Sequence, residues 1–216
     1  MTILMTSPAI ESEAMGDAAV TARKRGPKST LGADPRKRIH DAALACFESR
    51  GIKATSMDDV ATALGVSRPT VYYYFANKDD LVLEVVARQV KNVLDATRRR
   101  LRGKGLDRIG NAAYLTVVES RANPYVRLLV EGDFSQLVPL FLESERVLEL
   151  LREFWTPLLT EGQERYGLRS DRPLDEMIEW IMFTQFSLVS SGSGFGFSDE
   201  DIRERINTYL VPALRA

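Results

Sequence analysis

From Pro35 onward the chain repeats apolar residues at helical intervals and nowhere alternates them over any length as a strand does. Ile39, Ala42, Ala43, Cys46 and Phe47 recur at i, i+3, i+4, i+7 and i+8, one face of a helix turned to a core. Gly51 stops that helix, because glycine tolerates the left-handed backbone found just past a helix end. Ser56 then caps a short helix, MDDVATAL, whose Asp58 and Asp59 sit where the helix dipole favours negative charge. Gly65 and Val66 make a tight turn, and Ser67 caps another short helix ending near Phe75. Asn77 and Lys78 begin a long helix over 79–102 with Leu81, Val82, Val85, Val86, Val90, Val93 and Leu94 turned inward. Further helices are expected near 106–122, 124–133, 137–166, 173–191 and 199–213. Pro139 and Pro157 must begin, kink or split the 137–166 stretch. The pattern predicts an all-α fold.

Composition narrows the class. The chain has 216 residues, 44% of them hydrophobic and 27% charged, near the globular average, so it should fold without stapling. A single cysteine, Cys46, excludes an internal disulfide and fits a reducing cytoplasm. The single histidine, His40, reads as a half-exposed residue of the first helix and supports neither a zinc ligand set nor a histidine-based triad. No cofactor and no metal are expected. The opening MTILM is too short for a signal-peptide core, and no apolar stretch reaches the roughly 20 residues of a membrane helix. A soluble cytoplasmic protein is expected.

The net charge of −1 conceals a split: residues 23–82 hold eleven Lys and Arg against seven Asp and Glu, and the remainder is mildly acidic. One portion is therefore suited to a polyanion. That portion contains GVSRPTVYYYF, residues 65–75. With Val71 at the centre of the inward face, Phe75 lands about 40° away and is buried, and Tyr74 packs on the other side. Pro69 and Tyr73 then point outward, flanked by Thr70 and Tyr72, with Arg68 in the first turn. The exposed face reads as polar and aromatic with no acidic group. Such a face, on the second of two short helices joined by a glycine turn, suits the major groove of DNA. Arginine bonds guanine edges, threonine meets a thymine methyl or a phosphate, and tyrosine hydroxyls donate to phosphates. Lys78 extends the phosphate clamp.

Residues 36–86 carry A-x-x-x-F-x-x-x-G, T-S-M-x-D-V-A, G-V-S-R-P-T-V-Y-x-Y-F and N-K-D-D-L in one order. This segment resembles the DNA-binding domain of the tetracycline-repressor (TetR) family of bacterial transcription regulators. The resemblance implies a homodimer whose helix-turn-helix heads enter successive major grooves of a partly palindromic operator. It implies DNA contacts from Arg68, Thr70, Tyr72, Tyr73 and Lys78, with Ser56 beginning the helix that crosses the backbone; Pro69 shares their face. Repression is the family's commonest mode, and a small-molecule effector in the C-terminal domain tilts the fourth helix and spoils the spacing of the heads. The preceding RKRGPK resembles a minor-groove arm, with Arg23, Arg25 and Lys28 as its contacts. The expected organisation is a flexible tail with this arm over 1–34, a helix-turn-helix domain over 35–78 and a helical effector-binding and dimerisation domain over 79–216.

In the C-terminal half, Met177, Trp180, Ile181 and Phe186 on one helix and Ile202, Ile206 and Tyr209 on the last offer a four-helix dimer interface when doubled by a two-fold axis. Tyr114, Phe134, Phe141, Phe154, Trp155 and Phe183 are candidate linings of a pocket for a hydrophobic or amphipathic effector. An enzyme is disfavoured: Glu145, Glu149 and Glu153 alternate with Arg146 and Arg152 as a solvated helix face does, and GSGFGF lacks the setting of a phosphate loop. A non-specific architectural DNA binder would spread its contacts over more charge than this head carries.

Overall fold

The structure is a computed structural model and describes residues 32–126, 143–190 and 196–216. Asp34 opens α1 (Pro35–Ala54): its carboxylate accepts the Lys37 amide at 2.9 Å, and Pro35 takes a first-turn position where a missing N–H costs nothing. Gly51 lies at φ +79°, so the regular helix breaks there, and the Thr55 hydroxyl closes the following turn on the Gly51 carbonyl at 2.8 Å. In α2 (Met57–Leu64) the Ser56 hydroxyl accepts the Asp59 amide while the Asp59 carboxylate accepts the Ser56 amide, a reciprocal cap. The helices α3 (Arg68–Tyr74) and α4 (Lys78–Arg100) follow, and the Asn77 side chain caps the latter on the Asp80 amide.

These four helices close one core around Ile39, Phe47, Val60, Val71, Phe75 and Leu81. The first half of α4 supplies Leu81, Val82, Val85 and Val86 to it, whereas Ala87 and Leu94 belong to a second core and Val90 packs on both. The second core is built with α5 (Gly105–Ala122), α6 (Glu145–Arg165), α7 (Leu174–Ser190) and α8 (Asp199–Arg205). A π turn, Ile206–Leu210, and the short α9 (Val211–Ala213) continue the last helix. The chain's end is tied back: the Arg169 amide donates to the Leu214 carbonyl and the Ala216 amide to the Gly167 carbonyl. Among the described residues there is no strand beyond this isolated pairing, and no helix is long and apolar enough to cross a membrane.

Two prolines leave visible marks. Pro157 lies inside α6, which neither starts nor stops there. Proline lacks an amide proton, so the Glu153 carbonyl one turn back has no helical donor; the Arg98 guanidinium supplies one at 3.4 Å. That guanidinium also lies 5.3 Å from the Phe154 ring centroid, fastening the end of α4 to α6. Pro212 follows the π turn. Its ring crowds the carbonyl four residues back, and the Val211 amide just before it reaches to the Ile206 carbonyl, five residues away.

Besides α4, Tyr125 joins head to body among the described residues. Tyr125 packs against the head core, and burial together with a hydrogen bond to Glu48 on α1 pushes its phenol pKa up. Asn123 holds that segment in place by accepting the Tyr125 amide and donating to the buried Gln89 of α4 at 3.1 Å.

His40 is not half-exposed as expected: only 3% of it is accessible. The extra cover comes from α4, whose Glu84 and Arg88 face it, so the apolar stripe of α1 alone understates the burial. Its Nδ1 lies 3.0 Å from Asp41 Oδ1, while Nε2 is buried without a partner among the described residues. Burial, helped by Arg88 and opposed by Asp41 and Glu84, holds the imidazole below its usual pKa. The unfolded chain therefore takes up a proton near pH 6.5 that the folded head refuses, and stability falls as pH drops through that value. Denaturant midpoints should fall between pH 7 and pH 5, and His40→Leu should flatten that slope.

Candidate nucleic-acid interface

The helix α3 is positioned by few side chains. Val71 and, just past its end, Phe75 are fully buried; Tyr74 is half-buried against the same core, its ring edge-on to Tyr73 at 5.0 Å. The other side of the helix presents Arg68, Pro69, Tyr72 and Tyr73 to solvent, with Thr70 partly covered. Tyr73 is 72% accessible and Tyr72 38%, so the outermost ring is the one opposite Val71. The turn that sets this angle depends on Gly65, at φ +67°, whose amide returns to the Thr62 carbonyl.

Three details differ from expectation. The Ser67 hydroxyl does not cap a backbone amide; it pairs with the Thr70 hydroxyl at 2.8 Å. The face is not free of acid: Asp58 of α2 meets Arg68 with both carboxylate oxygens, Oδ1 to Nε at 3.0 Å and Oδ2 to Nη1 at 3.2 Å. The Arg68 guanidinium also donates to the Tyr72 hydroxyl at 3.3 Å and lies over that ring. Lys78 is partly covered, its Nζ donating to the Lys53 carbonyl at the end of α1. Ser56 is exposed at the start of α2, its hydroxyl engaged with Asp59. Arg23, Arg25 and Lys28 lie outside the described residues.

The segment that builds this head, residues 39–85, matches the family model for bacterial regulatory proteins, tetR family. The head is therefore similar to the DNA-binding segment of that family. Among its relatives, the transcriptional activator FasR of Mycolicibacterium smegmatis is 32% identical over 134 residues, which span 56% of this chain and 61% of FasR, less than two thirds of its length. The transcriptional repressor KstR2 of Mycobacterium tuberculosis is 24% identical over 71% of this chain and 79% of its own. The structure of Thermus thermophilus FadR, a TetR-family repressor in complex with lauroyl-CoA, superposes with a TM-score of 0.60 at 21% identity, covering 84% of this chain and 95% of FadR; that likeness is one of fold.

In the body of the chain the candidates separate. Phe154 and Trp155 lie in the core, Trp155 wholly buried with no acceptor for its indole Nε1 among the described residues. Tyr114 packs on the same core with the Arg203 guanidinium 3.7 Å from its ring centroid. Phe183, expected beside them, is instead exposed and stacked on Trp180 at 5.8 Å. Phe134 and Phe141 lie outside the described residues. Of the residues expected at a dimer interface, Met177, Ile181, Ile202 and Ile206 are at most 3% accessible because they fill the chain's own core. Trp180 and Tyr209 are exposed, and Phe186 is partly covered. A groove of about 490 Å³ beside Trp180 and Phe183 is lined by Arg169, Arg172, Met177 and Leu214.

A Cβ at position 65 would meet nothing within 4 Å, so substitution there tests backbone strain alone. Gly65→Ala should cost roughly 1–2 kcal/mol in denaturant unfolding, and Gly65→Asn less, since Asn tolerates the left-handed region.

Proposed function

We propose that this protein is a transcription repressor acting in the cytoplasm, a homodimer that sets α3 of each head into successive major grooves of a partly palindromic operator. A small hydrophobic or amphipathic effector entering the body releases it. The observation that carries this reading is the outward face of α3, with Arg68, Pro69, Tyr72 and Tyr73 exposed beside Thr70 and no part in the head core. In this arrangement Arg68 reads guanine edges, Thr70 and Pro69 meet apolar base edges, and Tyr72 and Tyr73 donate to phosphates. Ser56 begins the helix that crosses the backbone, and Lys78 exchanges the Lys53 carbonyl for a phosphate. Arg23, Arg25 and Lys28 follow the adjacent minor groove. Residues 35–78 act as the DNA-binding unit and 79–216 as the effector-binding and dimerisation unit.

The exposed rings of Trp180, Phe183 and Tyr209 support dimerisation, because a monomer has no use for large rings in solvent on the two helices that the family pairs. Phe186 shares that role, and Met177, Ile181, Ile202 and Ile206 anchor those two helices in the chain's own core. Tyr114, Phe154 and Trp155 bound the effector site, with Phe134 and Phe141 in the same role. The complex of FadR with lauroyl-CoA makes a long-chain acyl thioester the first effector to test. The relatives are transcription regulators, and the function proposed here is binding rather than catalysis.

Selection of bound duplexes from a random pool should return a two-fold operator, and lauroyl-CoA should lower occupancy of it. Arg68→Ala should cost roughly 1–3 kcal/mol on that operator and relax preference at one position per half-site; recovery of no preferred sequence would overturn the reading. Trp180→Ala with Phe183→Ala should weaken the dimer by about thirtyfold or more in sedimentation, in line with two aromatic hot spots, while the head unfolds as before.

A further inference from the structure

Among the described residues Asp58 is the one acidic side chain tied to the outward face of α3, and neither the dipole of α2 nor its cap requires it there. The cap is made by Ser56 and Asp59, and Asp59 also pairs with Arg50. Asp58 is more than half exposed and still turns both oxygens onto Arg68, ten residues away across the turn. With Tyr72 bonding the same guanidinium from one turn further along α3, Arg68 is held from two sides.

From this geometry we infer that Asp58 is a positioning residue for DNA recognition, which makes Arg68 read a base edge rather than bind phosphates at large. The inference rests on the placement of α3 in the major groove. A lone arginine on this face is attracted to every phosphate within reach, whatever the sequence. Paired with Asp58 its net charge is cancelled, so the pair adds little to sequence-independent affinity. What survives is directional: the guanidinium keeps N–H groups on Nη1 and Nη2 for an acceptor placed where a guanine presents O6 and N7. In free solution an exposed ion pair contributes little. Between protein and groove, where water is displaced, the same pair strengthens and fixes the guanidinium plane. A purine or pyrimidine without the matching acceptors then leaves Arg68 unable to turn to a phosphate, and discrimination rises.

The test compares the full chain with Asp58→Asn, Arg68→Ala and the double variant. Each is titrated with the selected operator, with operators changed at the position whose preference depends on Arg68, and with a random duplex. Asp58→Asn should reduce discrimination at that base pair by roughly five- to tenfold. It should also raise affinity for the random duplex, with a salt dependence steeper by about one ion per head. In the Arg68→Ala background, Asp58→Asn should leave base discrimination unchanged. Asp58→Asn with wild-type discrimination overturns the inference. So does a change in discrimination that persists without Arg68, which would make Asp58 a base reader itself. Should Arg68→Ala alone alter no base preference, the base-edge reading of Arg68 falls and takes this inference with it, an outcome separable from the other two. Unfolding of Asp58→Asn, measured alongside, should be close to wild type, since the Ser56–Asp59 cap is intact.

Discussion

Everything proposed for the head depends on how a seven-residue helix is held. Helices of that length do not persist alone in water, where even about 12–15 residues is marginal. The orientation of α3 is therefore borrowed from its packing, and that packing rests chiefly on Val71 and Phe75, both fully buried. Because these two lie four residues apart, they define a narrow stripe and leave the opposite side no choice but solvent. Gly65 sets the angle at which the stripe meets α1 and α2, and the first turns of α4 close over it with Leu81 and Val82. The exposure of Tyr73 is thus a consequence of the burial of Val71.

The same economy governs the joint between head and body. The helix α4 has 23 residues, a lever about 35 Å long, and no spacer separates the cores at its two ends. Val90 touches both, Gln89 is buried beside it, and Gln89 is bonded to the Asn123 that holds Tyr125 on α1. The far end is fastened by Arg98 to the carbonyl that Pro157 leaves without a helical donor. A change of packing in the body thus bears on the helix that carries the head through both cores together with the Tyr125 contact.

Most of the head was legible because its signals are local. Caps at Ser56 and Asn77, the left-handed Gly65 and the spacing of Val71 and Phe75 act within a few residues of one another, and local periodicity reads such features well. Features that need a second element were misread. His40 carries no sign that α4 will bury it, and Asp58, which does lie in the first turn of α2, gives no sign of its pairing with Arg68, ten residues away across a turn. In the body, an apolar stripe does not distinguish a chain's own core from a partner's surface. Met177, Ile181, Ile202 and Ile206, expected at a dimer interface, fill the chain's own core, whereas Phe183, expected to line a pocket, lies outside with Trp180. The available signal is that α7 is apolar nearly all round, so it needs cover on several sides and not from one core alone.

Charge, the weakest signal in the sequence, gains meaning from the pairings. Of the eleven Lys and Arg in 23–82, four fall in 23–28, and several of the others are already engaged. Lys37 meets Asp41, Arg50 meets Asp59, Arg68 meets Asp58, and Lys78 caps a carbonyl. Exposed pairs of this kind add little stability, typically under about 1 kcal/mol, so folding alone does not account for them. They do cancel long-range field, which at physiological salt already fades within about 8 Å. A head neutralised in this way gathers little affinity from counterion release on arbitrary DNA. In the proposed complex its hold on a duplex comes from hydrogen bonds and contacts made at close range, where the sequence in the groove matches the face that Val71 and Phe75 turn outward.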